Sequence, residues 1–396
     1  MGVKENNLVS FLAQLVLLAV LISIIELFSY LILIIAESPS EKAYKSFPEF
    51  ISTKPAPFNN VDDFKEVELS YSNKASRCRG KIIYNDEIGF PRYGKNNFKC
   101  YGEELKNGLR HTIDQPTNFS GRILIFGGST IWGSGSSDKN TIPSIIQKKI
   151  NKDSNEKIKV INYGFTTVTI NQQLNLLKSI KINTDDIIVF YDGGNDIFQS
   201  MINENPDGSI IGYNQSNKFN IFIQNIKFFL SNTSNTYKLI SLVKSKFNQN
   251  ELQNCNNEDK EKSNALISDG FEHYISKIKQ VNEYVTKNNA AFIHFLQPSL
   301  FYKDNKYSDY EKKLIKISPL GVNECNIYQE RVMNGYKYFS NNYKNSLEGL
   351  NSNNLINTLD PVRTGEEYFL DNLHVTSAGN KIIAEEIYKV IKKTLN

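Results

Sequence analysis

Four short apolar segments, each followed at once by glycine or polar residues, constrain the fold of this 396-residue chain more than any other feature. They are residues 123–126, 159–162, 186–191 and 291–296. Their residues are apolar except for Lys159, Asn162, Asp186 and His294, and short, mainly apolar segments are typical of strands buried on both faces of a parallel sheet. Stretches with the apolar spacing of helices lie between or after them, at residues 142–150, 170–182, 271–288 and 377–391. This alternation predicts an α/β fold in which helices cover both faces of an open parallel sheet.

The rest of the chain is divided around these segments. We predict an anchor in residues 1–37, a stalk and irregular extension in residues 38–120, and the α/β domain in residues 121–396. Two polar stretches inside that domain, about 199–263 and 300–367, are predicted to be insertions.

The anchor is predicted from residues 8–36, which are almost continuously apolar. This run exceeds the roughly 20 residues that a helix needs to cross a bilayer, and it is longer than a signal-peptide core. We therefore expect a single-pass transmembrane helix. Glu26 interrupts the run, so it is either protonated, bound to a partner helix or hydrated near an interface. The lysines on the two sides nearly balance, so the positive-inside rule does not fix the orientation.

Charge and cysteine spacing limit the partners. The formal net charge is only +4, and no dense Lys/Arg run is interleaved with aromatic residues, which argues against nucleic-acid binding. Cys78, Cys100, Cys255 and Cys325 have neither CxxC nor zinc-site spacing, so no structural metal site is predicted. Either they form two disulfides, Cys78 with Cys100 and Cys255 with Cys325 as the pairing of least entanglement, or all four are free thiols.

Four polar or glycine-containing blocks lie at strand ends or just before the last helix. They are residues 127–130 (GGST), Gly164, residues 193–196 (GGND) and residues 371–374 (DNLH). Ligands of open α/β sheets bind outside the carboxyl ends of the strands, where these blocks are expected to meet. A serine hydroxyl becomes a strong nucleophile when a histidine accepts its proton and a carboxylate orients that histidine. Each block alone is equally explained by capping or turn formation.

Taken together and in this order, the blocks resemble the SGNH (GDSL-like) hydrolase family, which is named for its Ser, Gly, Asn and His. The resemblance extends from residue 123 to the C-terminus, apart from the two insertions. It implies a three-layer, flavodoxin-like parallel sheet and a catalytic triad of Ser129, Asp371 and His374. It also implies an oxyanion hole formed by the N–H groups of Ser129 and Gly164 and the side-chain amide of Asn195. Neither a cofactor nor a catalytic metal is implied.

The resemblance has one departure at the nucleophile block. Many family members have aspartate where this chain has Gly128. That aspartate supports the loop rather than taking part in the chemistry, so activity is still expected. Nearby, Trp132 is expected either to line the acyl pocket or to pack against the first helix turn. His294 is expected to be a packed core residue. Asp192 is expected either to be a turn residue, which is the preferred interpretation, or to tune the Asn195 loop.

The function implied by the resemblance is a serine esterase that hydrolyses small, acetyl-type O-acyl esters. Envelope or exported polysaccharide is the implied acylated carbohydrate substrate, with the catalytic domain outside the cytoplasm. Two alternatives share the same residues or fold. One is an O-acyltransferase that uses the same triad with a sugar hydroxyl as acceptor, and the other is a non-catalytic glycan-binding component.

Overall fold

The computed structural model describes residues 2–35, 78–202, 234–236, 239–240, 243, 258–301, 307–317, 327–355, 359 and 368–395. The chain divides into two compact units. The first comprises Met1–Lys42 and Asn214–Asn256, and the second comprises Ala43–Tyr213 and Asn257–Asn396. Every residue of the predicted triad and oxyanion hole belongs to the second unit.

Helix α1 (Gly2–Ile35) occupies the residues predicted to form the anchor. Its Glu26 carboxylate accepts hydrogen bonds from the Ser234 hydroxyl and, at 2.6 Å, from the Asn235 N–H. Of the alternatives for Glu26, the structure therefore shows the one in which the carboxylate is bound by another segment of the chain. In the described part of the chain, no helix is both long enough and apolar enough to cross a membrane, so the structure does not support the predicted transmembrane helix.

The central sheet of the second unit is mostly parallel. The strands of the described residues are β1 (Ile82–Asn85), β2 (Phe90–Tyr93), β3 (Phe98–Cys100), β4 (Glu103–Lys106), β5 (Leu109–Arg110), β6 (Gly121–Gly127), β7 (Ile158–Asn162), β8 (Ile187–Asp192), β9 (Ala291–Leu296) and β10 (Ser352–Asn354). β1 and β2 form a separate antiparallel pair, and the other eight are ordered β10-β9-β8-β6-β7-β5-β4-β3. Strands β6 to β10 are parallel. Counted along the chain, their order is 2-1-3-4-5, which is that of flavodoxin-like sheets. All four predicted strands are present.

Helices cover both faces of this sheet. They are α2 (Ser129–Trp132), α3 (Ile142–Asp153), α4 (Ile170–Ser179), α5 (Gly194–Ile202), α6 (Glu258–Lys287), α7 (Asp309–Ile317), α8 (Ile327–Ser346) and α9 (Ser377–Leu395). Successive side chains of a strand point to opposite faces. Ile123 and Ile125 of β6 accordingly pack with α3 and α9, whereas Leu124 and Phe126 pack with α4, α6 and α8. The three-layer arrangement expected from the sequence is therefore observed.

The described part of the predicted extension, from residue 78 onward, is not irregular. Strands β3, β4 and β5 continue the sheet in antiparallel fashion beyond β7, where Arg110 lies opposite Asn162. Each strand is only two to four residues long, and turns separate them, so no alternating pattern is long enough to be recognised. Strands β3, β4 and β5 thus belong to the same unit as the parallel strands of the sheet. Residues 36–77 of the predicted stalk lie outside the described residues.

One predicted disulfide is present, between Cys78 and Cys100. Its partners lie 22 residues apart, and it joins the start of the described extension to the end of β3. The second predicted pair, Cys255 with Cys325, lies outside the described residues.

The predicted insertions also contain parts of the main helical layers. Helix α8 falls within the second of them, and its Val332, Tyr336, Phe339 and Tyr343 are buried in the core. Helix α6 begins at Glu258, inside the first insertion and well before the predicted start of that helix. These helices are rich in Asn, Lys and Tyr, so the apolar positions that face the sheet are diluted in the sequence.

Candidate active site

A tight strand-to-helix turn places Ser129 at the carboxyl end of β6. A Cβ on Gly127 would lie 2.4 Å from Ile131 Cγ1 and 2.5 Å from the Tyr191 carbonyl oxygen, so this position requires glycine. Ser129 is the first residue of helix α2. The neighbouring strand β8 ends at Asp192, just before Asn195. The site therefore lies between β6 and β8, where the strand order of the sheet reverses and ligands of such folds bind.

The structure brings Ser129, His374 and Asp371 together in a hydrogen-bonded chain. Ser129 Oγ lies 2.7 Å from His374 Nε2, and His374 Nδ1 lies 2.6 Å from Asp371 Oδ2. With the proton assigned to Nδ1, the imidazole donates to the carboxylate and accepts the serine hydroxyl proton. Asp371 Oδ1 also accepts the N–H groups of Leu373 and His374, at 2.8 and 2.7 Å. The carboxylate is thus held by its own turn.

Burial and charge act in opposite directions on this pair. Burial lowers the pKa of His374, but the charge of Asp371 and the hydrogen bond to it outweigh burial, so the pKa is raised above its usual value. Burial raises the pKa of Asp371, but the charge of His374 and the hydrogen bonds that the carboxylate accepts leave it lowered. The pair therefore favours an ionised carboxylate beside an imidazole that readily accepts a proton.

Two of the three predicted oxyanion donors, the Ser129 N–H and the Asn195 side-chain amide, lie at the nucleophile turn. The Ser129 N–H is the first of helix α2, and such N–H groups lack an intrahelical acceptor. The Asn195 side-chain amide donates one hydrogen bond, 2.8 Å long, to the Val168 carbonyl oxygen. An amide nitrogen carries two N–H groups, so this bond orients the second one. A Cβ on Gly128 would lie only 2.7 Å from that nitrogen, which places the amide against the nucleophile turn.

The third predicted donor, Gly164, has a different partner in the structure. Its N–H donates to Asn162 Oδ1 at 2.9 Å. The Asn162 side-chain amide in turn donates to the carbonyl oxygen of Ile131 at 2.9 Å. Gly164 also lies so close to helix α2 that a Cβ would come within 2.5 Å of the Trp132 nitrogen. The structure shows Gly164 as a close packing contact of the nucleophile helix and does not show it as a free donor.

Behind Asn195 lies a buried polar cluster that the sequence reasoning missed. Asp192 is the last residue of β8 rather than a turn residue, and it is 2% exposed. It accepts a hydrogen bond from Tyr274 at 2.7 Å, and its Oδ1 lies 3.0 Å from His294 Nε2. His294 is buried, as expected, but both of its ring nitrogens have polar partners. Its Nε2 faces Asp192, and its Nδ1 is hydrogen-bonded with the Tyr343 hydroxyl. A histidine within an apolar strand is the only sequence signal for this cluster.

Asp196 follows Asn195 in α5 and connects this helix to the start of α4. It is buried, and its Oδ1 accepts the Ile170 N–H at 3.0 Å. Burial raises the pKa of this carboxyl well above its usual range, and the nearby charge of Asp192 adds to the effect.

Trp132 is 1% exposed and packs against Tyr93 and Phe165, so the structure places it in the core rather than in an acyl pocket.

Among the described residues, no group of three or more His, Cys, Asp and Glu side chains is arranged to hold a metal ion.

Comparison with known proteins identifies similar folds only at low similarity. No family model and no curated protein matches the chain. One similar solved structure is a member of the lipolytic protein G-D-S-L family from Veillonella parvula, with 11% identity, 69% of this chain and 99% of that chain covered, and a TM-score of 0.36. Another is Axe2, an acetylxylan esterase from Geobacillus stearothermophilus, with 12% identity, 68% and 93% covered, and a TM-score of 0.34.

Proposed function

We propose that this protein is a serine ester hydrolase with Ser129 as its nucleophile. The observation that carries the proposal is the continuous chain from Ser129 Oγ through His374 to Asp371, with contacts of 2.7 and 2.6 Å. Serine hydroxyls are weak nucleophiles until an adjacent, oriented base takes their proton. These two contacts supply both the base and the group that orients it.

The proposed reaction proceeds through an acyl-enzyme. Ser129 Oγ attacks the ester carbonyl carbon while His374 Nε2 accepts the hydroxyl proton. Negative charge develops on the former carbonyl oxygen and is stabilised by the Ser129 N–H and the Asn195 amide. His374 then gives its proton to the departing alcohol oxygen. A water molecule then attacks the carbonyl carbon of the acyl-enzyme while His374 takes its proton. The bond to Ser129 Oγ breaks, His374 returns the proton to Oγ, and the carboxylic acid leaves. Losing one oxyanion donor typically lowers the rate by about 10²–10³-fold.

The proposed substrate is a small, acetyl-type O-acyl ester on envelope or exported polysaccharide. This part of the proposal rests on the family resemblance of the sequence. The Cys78–Cys100 disulfide supports a location outside the cytoplasm, because disulfides persist in oxidising compartments.

The test is hydrolysis of p-nitrophenyl acetate and longer p-nitrophenyl esters by the full chain. Ser129→Ala and His374→Ala are measured beside it, and near-UV circular dichroism verifies that each variant is folded. The proposal expects turnover that is highest for acetate and is lost in both variants. Turnover that persists in folded Ser129→Ala would contradict it.

Adding an oligosaccharide acceptor to the same assay separates hydrolysis from transfer. Release of free acid that is unchanged by the acceptor supports the hydrolase. Acylated oligosaccharide formed faster than free acid would instead identify an O-acyltransferase that uses the same residues. No turnover and no acylation of Ser129 would favour a glycan-binding component.

A further inference from the structure

The loop that follows the nucleophile helix contacts a buried arginine of the extension. Arg110 is 1% exposed, and a charge removed from water needs close polar partners. Its Nε donates to Asp138 Oδ1 at 2.5 Å, and its Nη2 donates to the Ser136 carbonyl oxygen at 2.8 Å. Both acceptors lie between helix α2, which begins with Ser129, and helix α3. One guanidinium group therefore fixes two points of this loop.

A second ion pair holds Arg110 from the extension side. Arg110 Nη1 lies 3.8 Å from Glu103 Oε1. The Glu103 carboxylate accepts two hydrogen bonds from Arg79, at 2.6 and 2.7 Å. Arg79 directly follows Cys78, which the disulfide ties to Cys100. The Gly102 carbonyl oxygen also accepts the Asp138 N–H at 2.8 Å. The extension thus binds the loop through both side chains and backbone.

The same loop is bound from the side that carries the histidine. Asn380 lies in the first turns of α9, the helix that follows His374. Its side-chain amide donates to Ser136 Oγ at 2.9 Å and to the Asn140 carbonyl oxygen at 3.1 Å. Ser136 therefore receives Arg110 on its carbonyl oxygen and Asn380 on its hydroxyl. Through these hydrogen bonds, the loop links α2, which begins with the nucleophile, to α9, which follows the base.

We propose that Arg110 is a positioning residue for the reaction. It fixes the loop after α2 and so maintains the 2.7 Å contact between Ser129 Oγ and His374 Nε2. The guanidinium carbon of Arg110 also lies 5.3 Å from the ring centre of Trp132, the last residue of α2, which adds a direct contact with the nucleophile helix. This inference rests on the proposed function.

The chain offers a matched control for testing this role. Arg122 also pairs with a carboxylate, donating from Nε to Asp186 Oδ1 at 2.8 Å and from Nη2 to the Lys181 carbonyl oxygen at 3.0 Å. It lies near the start of β6, at the end of the strand opposite to Ser129. Lysine keeps the charge at either position, but it cannot form the forked pair of hydrogen bonds. Arg110→Lys and Arg122→Lys therefore remove the same kind of interaction near the site and far from it.

The experiment measures kcat for p-nitrophenyl acetate and the rate at which a fluorophosphonate labels Ser129, together with the thermal midpoint of each variant. We expect Arg110→Lys to lower kcat and the labelling rate together by about 10-fold or more. Arg122→Lys should lower the thermal midpoint by less, because Arg122 is partly exposed, and should leave both rates unchanged. If Arg110→Lys does not fold, Asp138→Asn replaces it, because this change keeps the shape of the side chain and removes its charge. Equal rates in the folded site variant and in Arg122→Lys would overturn the proposal.

A spectroscopic measurement separates this inference from the proposed hydrolase activity. The ¹⁵N resonance of His374 Nε2 reports on its hydrogen bond with Ser129 without any turnover. The inference expects this resonance to shift in Arg110→Lys or Asp138→Asn and to stay constant in Arg122→Lys. A wild-type chain without turnover would refute the hydrolase alone. A resonance that is unaffected by the Arg110 and Asp138 changes would refute the positioning role.

Discussion

Replacing Gly164 by alanine tests whether the position of the nucleophile helix controls the reaction rate. The added Cβ would lie 2.5 Å from the Trp132 nitrogen, 2.7 Å from Ile131 Cγ2 and 2.8 Å from the Ile131 carbonyl carbon. Two of these atoms are backbone, and real Cβ contacts are essentially never shorter than 3.0 Å, so helix α2 must move by about 0.5 Å or more. Overpacking of this kind costs about 1–3 kcal/mol of stability.

The same movement should reduce the reaction rate. A displacement of about 1 Å at a reacting group lowers rates by roughly 10²-fold, so we expect kcat to fall by about 10- to 100-fold. Alanine keeps the backbone N–H of residue 164, so the loss would report packing and not a lost hydrogen-bond donor. The assay is the rate of acyl-enzyme formation with p-nitrophenyl acetate, at a temperature where urea unfolding shows the variant to be folded.

Gly121→Ala is the control for this change. Gly121 begins the strand that ends at the nucleophile turn, and its added Cβ would meet Ile158 Cγ1 at an ordinary 3.9 Å. We expect its stability to stay within about 0.5 kcal/mol of the parent and its rate to be unchanged. A folded Gly164→Ala protein that acylates as fast as the Gly121→Ala protein would refute the reasoning.

Three further predictions follow from the described contacts. His374 must be neutral to accept a proton, and its pKa is raised, so kcat/KM should fall as the pH drops through an apparent pKa above about 6.5. Asp371→Asn should move this fall to lower pH. A pH–rate profile that does not move would contradict the assigned pair. The stabilisation that His374 gains from the same interaction depends on pH in the opposite direction to the rate. It is complete below about pH 6.5 and is lost as the pH rises through the raised pKa of His374. Thr167 is a β-branched residue at φ +62°, so Thr167→Asn should raise the free energy of unfolding by about 1 kcal/mol in urea titrations, whereas a loss of stability would show that the backbone is not strained. Replacing Cys78 and Cys100 by serine opens a 22-residue closure and should lower the free energy of unfolding by about 3 kcal/mol, with an unchanged denaturation midpoint as the contrary result.

The parallel strands could be predicted because burial on both faces leaves a continuous apolar run in the sequence. Strand β6 contains residues 123–126, and strand β8 contains most of residues 186–191. The polar residues that follow each strand lie at the candidate site. The sequence also placed Ser129 and Asn195 after the carboxyl ends of strands, and the structure shows that these strands, β6 and β8, flank the reversal of the strand order. These features are local in the sequence, or they follow from the geometry of parallel sheets.

The extension and the buried polar cluster could not be predicted in the same way. The pairing of β5 with β7 is a single contact between Arg110 and Asn162, and no local pattern encodes it. Asp192 is of a residue type that is common in turns, but its partners Tyr274 and His294 come from distant elements that the sequence does not connect. The family resemblance implied that Gly164 is a donor, and the sequence could not test this, because a glycine after a strand looks the same whether its N–H or its missing side chain matters.

Covalent labelling of Ser129 tests the central claim most directly. The full chain is treated with a fluorophosphonate, and the adduct is measured by intact mass and located by peptide mapping, with Ser129→Ala and His374→Ala treated in parallel. The account predicts one adduct per chain, located on Ser129, absent in Ser129→Ala and strongly slowed in His374→Ala. An unlabelled folded chain, or an adduct on another serine that persists in Ser129→Ala, would contradict it.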